Sequence, residues 1–410
     1  MKNNEAPILR PYSGLKVLDV TRVLASPFAS YMLGLLGATV IKIEDPEMKG
    51  DTMRHRGGGN AALYEQGLGT AFMAQNSNKQ SLTLNLRLSE GQAIFKQLVT
   101  SADIVIENLR GGKMSSYGLD YPSLKLIKDN LIYCSLTGYG QNGEKGGHPA
   151  YDSVIQAASG IMSLTGTSDT GPMKVGIPLV DYSSGFATAF AIASAVVHRE
   201  RTGFGQYIDV SMLDTALVLM SSIVTDSLTL GNKPKAHGNS SGPGYSTNQA
   251  YRVGSDLLWI CASESHQRER LWQVLDRPDI PLDPRFNTQE KARENITILQ
   301  VEIEKTLSTK TVNEWEFILN EAGVPAMRVR TVPEILDEPH VKSRGLFHQF
   351  NAIPGAPLGV SVPLLPFQMS LSPGSIQSAP PVLGQDTDSL LNALGFDDKA
   401  IKRLRERKVI

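Results

Sequence analysis

Apolar and polar positions follow two different periods along the N-terminal half of the chain. "LKVLDVT" (15–21) is a short, nearly continuous apolar run, as expected of a strand covered on both faces, and "ATVIKIE" (38–44) is a second. Between them "PFASYMLGLLG" (27–37) carries a helical pattern closed by Gly37, so the three segments predict a βαβ unit. "QSLTLNL" (80–86) alternates as a strand does, and "SEGQAIFKQLVTSA" (89–102) predicts a helix with Ser89 as its N-cap. "DIVIEN" (103–108), "LIYCSLTG" (131–138) and "GQYIDVSM" (205–212) predict further strands. Strands separated by helices assemble through right-handed crossovers into an open parallel sheet. The expected fold class is therefore α/β, with a large Rossmann-like domain over residues 1–225.

The pattern changes near residue 226. "LGNKPKAHGNSSGPGYSTNQ" (230–249) is rich in Gly, Ser, Asn and Pro and predicts a loop. "AYRVGSDLLWICAS" predicts a hairpin with "GSD" at its turn, and "RERLWQVL" and "TILQVEIEKTLSTKTVNEWEFILNEAG" predict helices. Residues 226–330 thus form an expected smaller α+β domain. The chain closes on "LLNALGFDDKAIKRLRERKVI", a helix-turn-helix pattern with a basic, solvated face.

Composition narrows the function classes. The chain has 410 residues, 41% hydrophobic and 20% charged, with a net charge of −1, so no global basic field points to nucleic acid. Two cysteines, Cys134 and Cys261, are too few for a disulfide framework. No apolar run reaches the roughly 18 residues of a membrane span, and "MKNNEAPILRPYSG" lacks the apolar segment of a leader. The expectation is a cytoplasmic protein with no membrane and no nucleic-acid partner.

Several chemistries lack their residues. Glu44 closes the βαβ unit where an acid could bind a ribose, yet the preceding turn is "TRVLASP" and carries no G-x-G-x-x-G. The seven histidines (55, 148, 198, 237, 266, 340 and 348) never pair at i+3 to i+5, so no metal is expected. One acid stands out. Asp181 lies at the mouth of "SSGFATAFAIASAVV", a long run of small and apolar residues. An Asp shortly before a helix is an ordinary N-cap. The other reading is a nucleophilic carboxylate that a helix N-terminus would keep ionised, and spacing alone leaves both open. "ENLRGGKMSSYGLDY" and "SLTGYGQNGEKGGHPAYD" follow strand ends, the edge where open α/β sheets bind ligands, although ordinary turns use the same residues. Arg87, Arg110 and Lys113 are local cations able to meet phosphates, although each also reads as an ordinary solvated surface charge.

Taken together, "LKVLDVTRVLASPFASYMLGLLGATVIKIEDP", "NSNKQSLTLNL", "SADIVIENLRGGKMSSYGLDYPSLK", "YDSVIQAASGIMSLTG", "VDYSSGFATAFAIASAVVHRERTGFGQYIDVSMLD" and "EAGVPAMRVRTVPEILDEPHVKSRGLF" resemble the family III CoA-transferases, with the alpha-methylacyl-CoA racemases as cousins. The resemblance covers most of the chain in the family's order. It implies an interlocked, ring-like homodimer in which residues 331–410 form a return linker and the C-terminal part of the large domain. It also implies that Asp181 is catalytic, attacking an acyl-CoA to give a mixed anhydride and then an aspartyl-CoA thioester. The donor, succinyl-CoA by family habit, would give its CoA to a short carboxylic or dicarboxylic acid. No tightly bound cofactor is implied; the coenzyme A thioester is substrate.

Residue by residue, the CoA contacts of the family fall on Leu24, Ala25, Leu84, Asn85, Arg87, Asn108 and Thr137, Gly138, Tyr139 and Gly140. Lys113 lies near a second cationic contact whose matching position is Ser116, and Asp45 stands where a basic residue is common. Tyr151 and the loop glycines Gly242 and Gly244 match substrate-side positions. The racemases share the Asp181 position but carry a His where this chain has Tyr151, with His148 three residues too early. A phenol with a pKa near 10 is a poor base at neutral pH, which favours transferase over racemase. A non-catalytic CoA-binding protein is the third reading, and measurable acyl exchange separates it from the others.

Overall fold

The structure is a computed structural model describing residues 9–242, 246–351, 353, 355–356 and 358–410. The chain divides into two compact units, one of Met1–Ile161, Val175–Leu230 and Gly345–Ile410, the other of Met162–Lys174 and Gly231–Arg344. Residues 162–174 therefore leave the first unit, a departure that no composition change in the sequence marks.

The first unit is built on a parallel sheet of β1 (Lys16–Val20), β2 (Thr39–Glu44), β3 (Lys79–Thr83), β4 (Ile104–Glu107), β5 (Ile132–Thr137) and β6 (Tyr207–Ser211), in the order β3-β2-β1-β4-β5-β6. Its longer helices up to Leu230 are α1 (Ala25–Leu35), α2 (Ser89–Val99), α3 (Asp152–Ser159), α4 (Leu179–Thr202), α5 (Met212–Leu219) and α6 (Ser221–Leu230). Successive strand side chains point to opposite faces, so a fully apolar strand feeds two cores. Val17, Val40 and Ile104 pack with Leu33 of α1 and Ile192 and Ala195 of α4. Leu18, Ile41 and Val105 pack with Phe95 and Leu98 of α2 on the other side. Ser89 is the first residue of α2 and not its N-cap; Leu88 holds that place without a side-chain cap.

The second unit contains β7 (Asn248–Val253) and β8 (Asp256–Cys261), an antiparallel pair turning at Gly254–Ser255 as the sequence predicts. It also contains α7 (Ser265–Val274), α8 (Ile296–Leu307), α9 (Val312–Glu321) and a third strand, β9 (Ala326–Arg328), paired to β8. Its core gathers Tyr251, Leu258, Leu271, Ile303 and Trp315. The chain then returns to the first unit with the hairpin β10 (Phe347–Phe350) and β11 (Val360–Pro363), followed by α10 (Thr387–Ala393) and α11 (Asp398–Glu406). Leu391, Ile401 and Leu404 of these last helices join the α2 face of the sheet.

By length and composition α4 is apolar enough to cross a membrane, contrary to the sequence expectation, and α5 with α6 forms a second apolar pair bent by 79°. The reason is that no Asp, Glu, Lys or Arg occurs between Asp181 and Arg199. Val180, Gly185, Ile192 and Ala195 on one side of α4 are nevertheless buried in the first unit.

Candidate active site

All six strands of the sheet run in one direction, so their C-terminal ends share one edge, and strand order reverses between β1 and β4. Ligands of open α/β sheets bind at such a reversal. A cleft of ≈ 310 Å³ opens there, lined by the turn Arg22–Ala25, by Asn108–Gly111 after β4, by Leu136–Tyr139 at the end of β5, and by Asp181. A second cleft of ≈ 300 Å³ lies over the ends of β2 and β3, lined by Asp45, Leu84, Arg87 and Lys113 among others. Arg22, Met48 and Leu109 line both, which makes the two clefts neighbours.

The turn between β1 and α1 is the wall on one side. Val23 has φ +74°, a left-handed conformation that costs a β-branched residue on the order of 1–3 kcal/mol. Its surroundings impose it. The Val23 N–H donates to Asp51 Oδ1 at 3.1 Å, and its carbonyl accepts from Gln75 Nε2 at 2.7 Å. Asn108 grips Arg22 from both ends, its Oδ1 accepting the Arg22 N–H at 2.9 Å and its Nδ2 donating to the Arg22 carbonyl at 2.7 Å. Behind the turn Lys42, fully buried, pairs with Asp51 at 3.1 Å and donates to the Thr21 carbonyl at 2.8 Å. The turn delivers Leu24 to the N-cap of α1, where no side chain caps the helix. The first N–H groups of a helix have no intrahelical partner, and Leu24 and Ala25 at this end line the cleft.

Asp181 lines the same cleft. It is the third residue of α4 and only 9% exposed, and it lies within the first turn, so the N-cap reading does not hold. Pro178 is the N-cap residue and contributes no side chain. Residues four apart share a helix face, which puts Gly185 below Asp181. A Cβ at Gly185 would stand 2.6 Å from the Ala25 carbonyl oxygen and 2.9 Å from Phe28 Cδ1. Glycine here lets α4 approach the start of α1 closely.

The expectation that the helix N-terminus keeps Asp181 ionised is corrected. The N–H groups of Val180 and Asp181 donate to Asp152 Oδ2, at 2.7 and 3.1 Å, and are unavailable to the Asp181 carboxylate. Burial first, and the neighbouring Asp152 charge second, push its pKa up to about 7.

The structure brings together Leu24, Ala25, Asn108, Thr137, Gly138, Tyr139, Tyr151 and Asp181 around the first cleft, and Leu84, Arg87 and Lys113 around the second. The buried Thr137 Oγ1 has no hydrogen-bond partner among the described residues. Asn85 stands apart, buried, accepting from the Arg87 N–H at 3.1 Å and Arg87 Nε at 3.3 Å. Arg87 is not a free cation: it pairs with Asp45 at 2.9 Å and Glu47 at 2.7 Å. Lys113 lies over the Tyr117 ring at 4.7 Å, and Ser116 donates to the Lys113 carbonyl. Gly140 shapes the loop with φ +81°, next to the Asp209 carboxylate that accepts the Gln141 N–H at 2.9 Å. Gly242, with φ +100° beside the His237 ring, belongs to the second unit, and Gly244 lies outside the described residues. Sequence reasoning passed over Arg22, Leu109 and Asp152. Arg22 was findable, being the second residue past the first strand at the binding edge.

The comparisons agree across nearly the whole chain. The model of CoA-transferase family III matches residues 12–387. A succinate–glutarate CoA-transferase of Agrobacterium fabrum is 34% identical over 94% of this chain and 96% of its own length. An acetyl-CoA:oxalate CoA-transferase of Acetobacter aceti is 35% identical over 86% of this chain and 89% of its own. A crystal structure of a CAIB/BAIF family protein from Brucella suis superimposes with a TM-score of 0.83 at 33% identity, covering 94% of this chain and 99% of that one. The chain belongs to CoA-transferase family III, and its class of enzyme is CoA-transferase.

Proposed function

We propose that the protein moves coenzyme A from succinyl-CoA to a short dicarboxylic acid, with Asp181 as nucleophile. The observation that carries this reading is the Asp181 carboxylate, nearly buried, in a cleft at the strand-order reversal beside the uncapped start of α1. An Asp181 oxygen attacks the thioester carbonyl, the C–S bond breaks, and CoA leaves as thiolate. The thiolate attacks the aspartyl carbonyl, releasing the donor acid as carboxylate and leaving an aspartyl-CoA thioester. The acceptor carboxylate attacks that carbonyl and expels the thiolate, forming a new mixed anhydride. Thiolate then attacks the acceptor's acyl carbon and frees Asp181. One negative charge passes through every step, so no proton is needed.

The N–H groups at the start of α1, at Leu24 and Ala25, stabilise the oxyanion that each addition creates. Thr137 offers its unpaired hydroxyl to the thioester. Arg22, at the junction of the two clefts, and Lys113 meet the phosphates or the remote carboxylate. The names of the relatives support dicarboxylates as acceptors. Exchange of succinyl-CoA and acetyl-CoA against glutarate, oxalate and mesaconate, read as new thioesters by mass, tests the proposal. No new thioester from any pair overturns it.

The working form is a homodimer. On α4 Phe190 is 77% exposed, and on α6 Leu228 is 83% exposed, apolar surface that a second copy would cover. Sedimentation should give about twice 44.5 kDa, and a monomer at micromolar concentration would refute the dimer.

A further inference from the structure

Asp152 stands in the first turn of α3 and is buried, yet its carboxylate serves another helix. The first N–H groups of an α-helix have no intrahelical partner and are usually met by the side chain just before the helix. At α4 that place is held by Pro178, which has no acceptor side chain. The cap comes instead from 28 residues upstream: Asp152 Oδ2 accepts the Val180 N–H at 2.7 Å and the Asp181 N–H at 3.1 Å. Asp152 Oδ1 accepts from Gln156 Nε2, and Gln156 Oε1 accepts the Val175 N–H at 2.9 Å. One turn of α3 thereby holds both ends of the segment 175–181 that leads into the site.

We propose that Asp152 is the positioning residue of this site, fixing the Asp181 backbone by capping α4 from a distance and withholding from the Asp181 carboxylate the backbone donors of its own helix. The inference rests on the Asp181 reading above. Its chemical consequence follows from the two charges. With no backbone donor among the described residues and a second carboxylate beside it, the Asp181 carboxylate is more basic than an ordinary one, and a more basic oxygen attacks a carbonyl more readily. Among the described residues, the other charged and titratable groups that line the cleft with Asp181 are Arg22 on the β1–α1 turn, Arg110 after β4, and Tyr139, His148 and Tyr151 after β5, and Tyr182 follows it on α4. Asp152 differs from them in hydrogen-bonding the Asp181 backbone itself.

The test uses full-length Asp152→Asn, which keeps an acceptor oxygen and loses the charge, Asp152→Ala, which loses both, and Asp181→Asn as reference. In Asp152→Ala, hydrogen exchange at the Val180 and Asp181 amides should quicken at least ~10-fold, because the cap that closes them is gone. Its kcat should fall at least ~10-fold while KM for acyl-CoA stays within ~2-fold, since positioning and not ground-state binding is lost. In Asp152→Asn, the acid limb of the kcat profile should move down by about 1 pH unit, an effect of charge that a merely structural residue would not produce. Unchanged amide exchange in Asp152→Ala, or an unmoved acid limb in a folded Asp152→Asn, would overturn the proposal. If Asp152→Ala does not fold, Asp152→Ser, a shorter neutral acceptor, replaces it in the exchange measurement. Amide exchange needs no turnover, so it reads the cap even if Asp181→Asn keeps full activity, a result that would sink the nucleophile reading instead.

Discussion

Replacing Asp181 by Asn should make the protein more stable, and increasingly so as pH rises. The carboxyl is buried beside Asp152 and its pKa is pushed up to about 7, so the folded chain holds its proton over a range in which the unfolded chain has lost it. The stability linked to that proton is fully present below the unfolded value near 4 and is lost as pH rises to about 7. Each pKa unit corresponds to about 1.4 kcal/mol, so ionising the folded site costs roughly 4 kcal/mol at most. Asn has the same shape and no charge to desolvate. Relative to wild type, Asp181→Asn should gain nothing at pH 4 and about 2–4 kcal/mol at pH 8, the lower figure allowing for relaxation around the charge. Chemical denaturation of both proteins at pH 4, 5, 6, 7 and 8, with the unfolding of the Asp181 unit followed by hydrogen exchange, measures this. A difference that stays constant with pH, or that favours wild type at pH 8, would refute the reasoning, because it would mean that the charge is welcome where it sits.

Two further outcomes follow from the walls of the clefts. Arg87→Ala should raise KM for acyl-CoA only a few-fold, since the side chain is half exposed and already paired, and exposed pairs are worth about 0–1 kcal/mol. Asp45→Asn, which loosens that pairing, should lower KM, and a rise in steady-state assays would show that Asp45 itself contacts the substrate. Asn108→Ala leaves the Arg22 N–H and carbonyl without partners and should cost about 1–3 kcal/mol, read as a lower thermal midpoint together with a raised acyl-CoA KM.

Much of the sheet was legible because its strands are covered on both faces and so read as unbroken apolar runs. The Leu18 and Val17 alternation between two cores is the structural counterpart of "LKVLDVT". The Gly254–Ser255 hairpin was legible for the same local reason, turn residues between two alternating runs. What local pattern could not carry was partnership over distance. Asp181 looked like an N-cap because its sequence neighbours allow it, whereas the acceptor that caps α4 is Asp152, far away in sequence. Arg87 looked like a spare cation because Asp45 and Glu47 lie forty residues off, at the end of a neighbouring strand. The left-handed Val23 had no sequence signal at all, since a valine is the residue least expected there; only Asp51, Gln75 and the hold of Asn108 on Arg22 make it tenable.

The central claim is that the acyl group and then CoA are carried covalently on Asp181. Mixing the protein with succinyl-CoA, quenching in acid within the first turnovers and digesting with trypsin would isolate the peptide 175–199, which contains Asp181 and Tyr182. Tandem mass spectrometry should place an added succinyl group or CoA on Asp181, and Asp181→Asn treated in the same way should carry neither while losing acyl exchange. An adduct on another residue, or full exchange activity in a folded Asp181→Asn protein, would contradict the account.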